Sequence, residues 1–243
     1  MAERLERARP SEADGKAAGR SGVVFDLDET LIDRHASMLR YADRFWSDFQ
    51  SEIPVPRPEF LERFLELDGN GYVDRKRFFE ALAEYLGRPK PRPEAIASHF
   101  GEFAWNRPVL MEGAVDGCRR LRAGGVPVGI VTNGGSRNQR KKLRNTGLDE
   151  LVDCVIISEE FGAKKPDASI FLEAARQLGI DPEASWFVGD NPMLDILGAG
   201  RTGFRTIWLR RSIRWPADQA PCYTRVASDL MGAFREVHDD QPP

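Results

Sequence analysis

Three apolar side chains run straight into two carboxylates spaced two apart in the stretch Val23-Val24-Phe25-Asp26-Leu27-Asp28. Val23 to Asp26, rich in Val and Phe and preceded by Gly22, predicts a short buried strand with Asp26 at its carboxyl end. In open α/β sheets, ligands bind at the carboxyl ends of strands. If the chain stays extended for two more residues, the period-two alternation of a strand turns Asp26 and Asp28 to the same side, facing one pocket. Taken alone, the pair also reads as a turn with helix-capping carboxylates. Matches elsewhere in the chain have to decide.

The rest of the chain divides into two patterns. From Arg34 to about Asn106 there are amphipathic helical stretches broken by Pro and Gly: His35 to Gln50, Glu59 to Leu67, Asp74 to Leu86 and Glu94 to Trp105. Four short helices predict a small bundle. From Met111 onward strands and helices alternate, with strands expected at Val126 to Val131, Cys154 to Ile157, Ser185 to Val188 and Arg205 to Leu209. Helices are expected at Ala114 to Ala123, Arg137 to Asn145, Asp167 to Leu178 and Met193 to Leu197. That alternation predicts an α/β fold: a Rossmann-like parallel sheet in a three-layer α/β/α core. The expected division is therefore a core of residues 21–33 and 107–243, interrupted by a helical cap at 34–106, with 1–20 as a mobile tail.

Composition limits the function classes. With 243 residues the chain can bury a sizeable core, and a formal charge of −3 gives no electrostatic case for nucleic acid. Cys118, Cys154 and Cys222 are dispersed and odd in number, which supports neither a disulfide framework nor a zinc knuckle. His35, His99 and His238 form no pair at metal-ligand spacing, so any metal should be oxygen-ligated. The first twenty residues lack the apolar core of a signal peptide, and no apolar run approaches the roughly 18 residues of a membrane span, so a cytoplasmic protein is expected.

Two motif-like stretches fail on context. Gly198-Ala199-Gly200-Arg201-Thr202-Gly203 has the spacing of a dinucleotide fingerprint but is expected to follow a helix and precede a strand, the reverse of what that fingerprint needs. Asp68-Gly69-Asn70-Gly71-Tyr72-Val73-Asp74 resembles the middle of a calcium loop, yet placing Gly71 at the obligatory glycine puts Arg77 where the bidentate glutamate belongs. A glycine turn between two helices accounts for it, and no calcium binding is expected.

Three later stretches supply what the two acids lack. The strand ending at Val131 runs into Thr132-Asn133-Gly134-Gly135, a hydroxyl with glycine-freed amides that suits an oxyanion. Lys165 stands just before a proline and a helix start. The strand ending at Val188 runs into Gly189-Asp190, with Asp195 five residues on. Each has an ordinary structural use, but the order strand and acid, strand and hydroxyl, lysine, strand and acid is specific.

On these residues the chain resembles the haloacid dehalogenase superfamily, in the phosphatase branch whose helical cap is inserted after the first motif. Asp26-x-Asp28-x-Thr30 matches the first motif, Thr132 the second, Lys165 the third, and Gly189-Asp190 with Asp195 the fourth. The resemblance covers about Gly22 to Leu209. It implies a Mg²⁺-dependent phosphatase of a small phosphorylated metabolite. Asp26 would be the nucleophile that forms an aspartyl-phosphate, and Asp28 the proton donor to the leaving alcohol and later the base for water. Mg²⁺ would be held by Asp26, the Asp28 backbone carbonyl and Asp190, with Thr132, Asn133 and Lys165 on the phosphoryl oxygens and Asp195 as a supporting acid. Without such cations, a phosphate charge about 4 Å from Asp26 would be repelled by about 4 kcal/mol at an effective dielectric of about 20.

An ordinary Asp26 is ionised at neutral pH, whereas Asp28 is expected to need a raised pKa. The alternatives are a sugar-phosphate mutase with the same core residues, a haloacid dehalogenase, and a catalytically silent binding module. Asp28 and Asp190 favour phosphate over halide, because the dehalogenases of this superfamily work without a metal. Phosphonate cleavage would need a cap lysine, and Lys76 and Lys90 sit in no revealing context. Specificity should lie in the cap, where Arg34, His35, Arg75, Lys76 and Arg77 are the candidates to meet an anionic leaving group, a solvated helix face being their ordinary role. The sequence does not indicate an oligomeric state.

Overall fold

A computed structural model describes residues 19–87 and 91–239; the expected tail, apart from Gly19 and Arg20, and Lys90 of the cap lie outside the described residues. Strand β1 (Val23–Phe25) is followed by the cap helices α1 (Arg34–Phe49), α2 (Arg57–Asp68), α3 (Arg75–Leu86) and α4 (Pro93–Phe103). A two-residue antiparallel ladder, β2 (Ile32–Asp33) with β3 (Val109–Leu110), ties the outgoing and returning chains together. There follow α5 (Ala114–Ala123), β4 (Val128–Thr132), α6 (Ser136–Thr146), β5 (Cys154–Ile157), α7 (Ser158–Phe161), α8 (Ala168–Leu178) and β6 (Trp186–Gly189). A π-helical turn over Pro192–Ile196 leads into α9 (Leu197–Gly200), and the chain closes with β7 (Arg205–Leu209), β8 (Arg225–Ala227) and α10 (Leu230–Asp239).

The six strands of the main sheet are parallel, in the order β5-β4-β1-β6-β7-β8. β1 sits between β4 and β6, with Phe25 level with Ile130 on one side and Val188 on the other. The carboxyl ends of these three strands therefore lie side by side, which is the crevice where open parallel sheets bind ligands. Strand alternation sorts the side chains into two cores. Val23, Phe25, Val128, Ile130, Trp186 and Val188 pack with α5 and α10, while Val24, Val131 and Phe187 pack with α8 and α9. Burial on both faces is why these strands read as continuous apolar runs.

The cap has its own core, and it is aromatic. Tyr41, Phe45, Phe60, Phe64, Phe78, Phe100 and Trp105 are buried together, with Phe45 stacked on Phe60 at 5.9 Å and Phe64 edge-on to Phe78 at 5.2 Å. Four short helices gain most area per residue from such side chains. Local chemistry sets their ends: Asp33 accepts from the Ala36 amide to cap α1, Asp74 accepts from the Lys76 and Arg77 amides to cap α3, and Gly69 closes α2 at φ 53°. Asp68 has both oxygens bonded by Arg34 and Arg75, so it offers no free ligand of the kind a calcium loop needs. The glycine-rich run at Gly198 does follow a helical turn and precede β7, and Gly198 lies against Phe171 and Pro166.

The β2–β3 ladder, α7, β8 and α10 have no counterpart in the sequence expectations. Two- and three-residue strands are too short to carry a period. No helix among the described residues is long and apolar enough to cross a membrane. Helix α10 is locked onto α5 where Gly117 meets Phe234, and a Cβ at Gly117 would overlap that ring. Gly117→Ala should lower stability by about 2 kcal/mol, read as a lower denaturant midpoint at unchanged slope.

Candidate active site

β1 ends at Phe25, and the chain does not stay extended through Asp28. The Leu27 carbonyl accepts from the Leu31 and Ile32 amides, and Glu29 turns at φ 63°. Asp26 and Asp28 nevertheless line one cavity, of about 630 Å³, roofed by the cap. A tight turn, not strand alternation, brings the two acids to it. Thr132, Asn133, Lys165, Asp190 and Asp195 line the same cavity, so the seven motif residues expected to meet the phosphoryl group and the metal converge there.

Asp26, Asp190 and Asp195 are buried, with one carboxylate oxygen from each lying within 4.8 Å of the others. Lys165, also buried, lies across two of them: Nζ is 2.5 Å from Asp26 Oδ1 and 2.6 Å from Asp195 Oδ1. Asn133 holds the backbone of this lysine, its Oδ1 accepting from the Lys165 amide and its Nδ2 donating to the Lys165 carbonyl. The Asn133 side chain is therefore occupied with positioning. Asp195 reaches back because Gly189 has no side chain, since a Cβ there would lie 2.6 Å from Asp195. The Asn191 amide donates to Asp195 Oδ2, and the Trp208 indole donates to the Asp190 carbonyl.

Asp28 stands apart from this cluster. Lys142 Nζ is 2.6 and 2.7 Å from its two oxygens, and Gln139 Nε2 donates both to Asp28 Oδ2 and to Thr132 Oγ1. Lys142 is in turn packed on the Trp105 ring, 4.0 Å from its centroid. Gln139, Lys142 and Trp105 were missed in the sequence. Gln139 and Lys142 share one face of α6 at a spacing of three, but the neighbouring Arg140, Lys141 and Arg144 make that helix read as solvated throughout. Of the cap candidates, Arg34 and Arg75 line the cavity, while His35, Lys76 and Arg77 do not. Tyr72 in the Gly69–Val73 turn reaches the core, its hydroxyl accepting from Asn191 Nδ2 at 2.8 Å.

The field of these groups reverses the expected order of the two motif acids. Burial raises Asp26 to about 7 despite Lys165, with Asp195 and Asp28 adding to the rise. Burial likewise raises Asp190 to about 9, helped by Asp195 and Asp26. Burial would raise Asp28 too, but Lys142 and then Arg34 outweigh it and hold the carboxyl below its usual range. Three carboxylates facing one ammonium are undercompensated, and a divalent cation fits the deficit and the all-oxygen donor set. Such a cation needs Asp26 and Asp190 deprotonated. Below about 7 protons compete for both; as pH rises through about 7 toward about 9 that competition fades and binding strengthens. Calorimetric titration with Mg²⁺ should give affinity at least about tenfold tighter at pH 8.5 than at pH 6, with proton release on binding.

Comparison with known proteins agrees with this geometry. The chain is 33% identical over 196 residues to a glyceraldehyde 3-phosphate phosphatase of Methanopyrus kandleri, covering 78% of this chain and 83% of that protein. It is 34% identical over 217 residues to a pyrimidine 5′-nucleotidase of Escherichia coli, covering 83% and 92%. The magnesium-bound hydrolase YfnB of Bacillus subtilis shares the fold at a TM-score of 0.73 and 22% identity, over 90% of this chain and 98% of that one, and solved haloacid dehalogenases share it too. The haloacid dehalogenase-like hydrolase profile matches residues 21–203, which spans β1, β4, β5 and β6 of the sheet, the inserted cap and every acid of the site, and the chain belongs to that family.

Proposed function

We propose that this hydrolase is a Mg²⁺-dependent phosphatase that cleaves small phosphate monoesters through an aspartyl-phosphate on Asp26. The observation that carries the reading is the buried Asp26–Asp190–Asp195 cluster beside Lys165. Halide displacement has no use for a cation site, whereas a phosphate dianion next to Asp26 requires one. Asp26, Asp190 and the Asp28 backbone carbonyl would hold Mg²⁺, which supplies charge neutralisation at the phosphoryl oxygens. The phosphatase and nucleotidase relatives support the same class of substrate.

An Asp26 carboxylate oxygen attacks phosphorus as the bond to the leaving oxygen breaks. Thr132, the Asn133 amide and Lys165 hold the remaining phosphoryl oxygens, and Lys165 keeps Asp26 oriented. The leaving oxygen takes a proton from Asp28. The approaching phosphate raises the proton affinity of Asp28, and the Lys142 ammonium 2.6 Å away is the source from which that proton is drawn. Asp28 then removes a proton from water, whose oxygen attacks the aspartyl-phosphate; the acyl oxygen–phosphorus bond breaks, phosphate leaves and Asp26 is regenerated. The cap, bridging to the core at Tyr72–Asn191 and Trp105–Lys142, excludes bulk water during the first step.

Purified protein should release phosphate from an aryl phosphate only with Mg²⁺ present, and Asp26→Asn should lose at least about a thousandfold in kcat. No release across a broad panel of phosphate esters would overturn the assignment.

A further inference from the structure

Resting on the phosphatase reading, the charge on the cap wall of the cavity is what the leaving group of a phosphate ester would meet. Three cations face the cavity there, Arg34 and Arg75 from the cap and Lys142 from α6 opposite. Lys142 is matched by Asp28. Behind the two arginines lies a single buried carboxylate, Asp68, whose Oδ1 takes Arg34 Nη2 at 2.8 Å and Arg75 Nη1 at 2.7 Å and whose Oδ2 takes Arg34 Nη1 at 2.7 Å. One carboxylate shared by two guanidiniums leaves one positive charge over. Asp74 also lines the cavity and keeps its charge, but it is exposed to solvent, and its Oδ1 accepts from the Lys76 and Arg77 amides at the start of α3 and not from either guanidinium.

The surplus falls on Arg75. Arg34 is buried, doubly bonded to Asp68, and covered by Gly71, where a Cβ would lie 2.7 Å from its Nε. Arg75 has Asp68 as its one hydrogen-bonded partner among the described residues, spends one of five donors on it, and has a side chain 31% exposed. The Phe78 and Phe100 rings, 5.5 and 5.2 Å away, fix its guanidinium and desolvate one side of it. A planar fork held in this way, sharing its one carboxylate with Arg34 and keeping four donors free of it, suits a carboxylate better than a second phosphate of charge near −2.

We propose that Arg75 is a specificity-determining residue that binds a carboxylate on the leaving alcohol, making the preferred substrate a phosphomonoester of a small hydroxy acid. The test compares 3-phosphoglycerate with glycerol 3-phosphate, which differ in that carboxylate, under Mg²⁺. Wild type should favour the carboxylate by at least tenfold in kcat/KM. Arg75→Gln should bring the ratio near one, chiefly by raising KM for 3-phosphoglycerate, and Arg75→Lys, which keeps the charge but not the fork, should fall between. Lys76→Ala, at a side chain 84% exposed beside it, should leave the ratio unchanged.

A wild-type ratio near one, a stronger preference for a bisphosphate, or equal losses on both substrates in Arg75→Gln would overturn the assignment. If aryl phosphate is still hydrolysed with Mg²⁺ in those cases, the carboxylate subsite alone has failed. Release from no ester at all would overturn the phosphatase reading with it.

Discussion

Lys165 joins two of the three carboxylates that crowd the carboxyl ends of β1 and β6, and the site is built around that contact. Burying an unpaired carboxylate is costly, and burying three near one another is more so. Lys165 offsets part of that cost for Asp26 and Asp195. What it leaves uncompensated keeps the proton affinities of Asp26 and Asp190 high and creates the demand for a cation. The supporting contacts serve this geometry: Asn133 grips the Lys165 backbone, Gly189 makes room for Asp195, and the Trp208 indole holds the Asp190 carbonyl.

A second charge pair has the opposite character. Asp28 is fully matched by Lys142 and Gln139, so the two acids of the first motif sit in one cavity with separated proton affinities. Such separation is how neighbouring carboxylates take different roles. Lys142 also leans on Trp105 at the end of the cap, while Lys141 and Asn145 of the same helix bond carbonyls between Gly101 and Trp105. The position of the cap is thereby tied to Asp28, the group to which the proposed mechanism gives the proton. Tyr72 makes a second bridge, to Asn191 between the two fourth-motif acids. Cap and core meet at the chemistry itself, which is where a leaving group would lie.

Much of the fold was legible in the sequence because its signals are local. Cys154–Ile157 and Arg205–Leu209 are strands with the ends expected, and the four cap helices begin within two residues of the expected starts, since capping residues and prolines act on the next few amides. The three-residue β8 after a long irregular segment has no period to read, whereas α10 does carry a helical period, with Leu230, Ala233, Phe234 and Val237 on its buried face, and the expectations passed over it. Asp28 was expected to be the acid with the raised pKa; Lys142, 114 positions away, decides otherwise.

By itself the sequence determined the alternation of strands and helices, the place of the insertion, and the identity of the acids, hydroxyl and lysine that meet at the strand ends. These follow from side-chain periodicity and from motifs confined to a few residues each. Only the tertiary structure decided which charges pair. Lys142 and Lys141 are adjacent and chemically alike, yet one is buried against Asp28 and the other bonds helix-end carbonyls of the cap. Arg75 and Arg77 differ in the same way, one lining the cavity and the other not. Electrostatic energy depends on distance and burial through space, and neither is written in the order of residues along the chain.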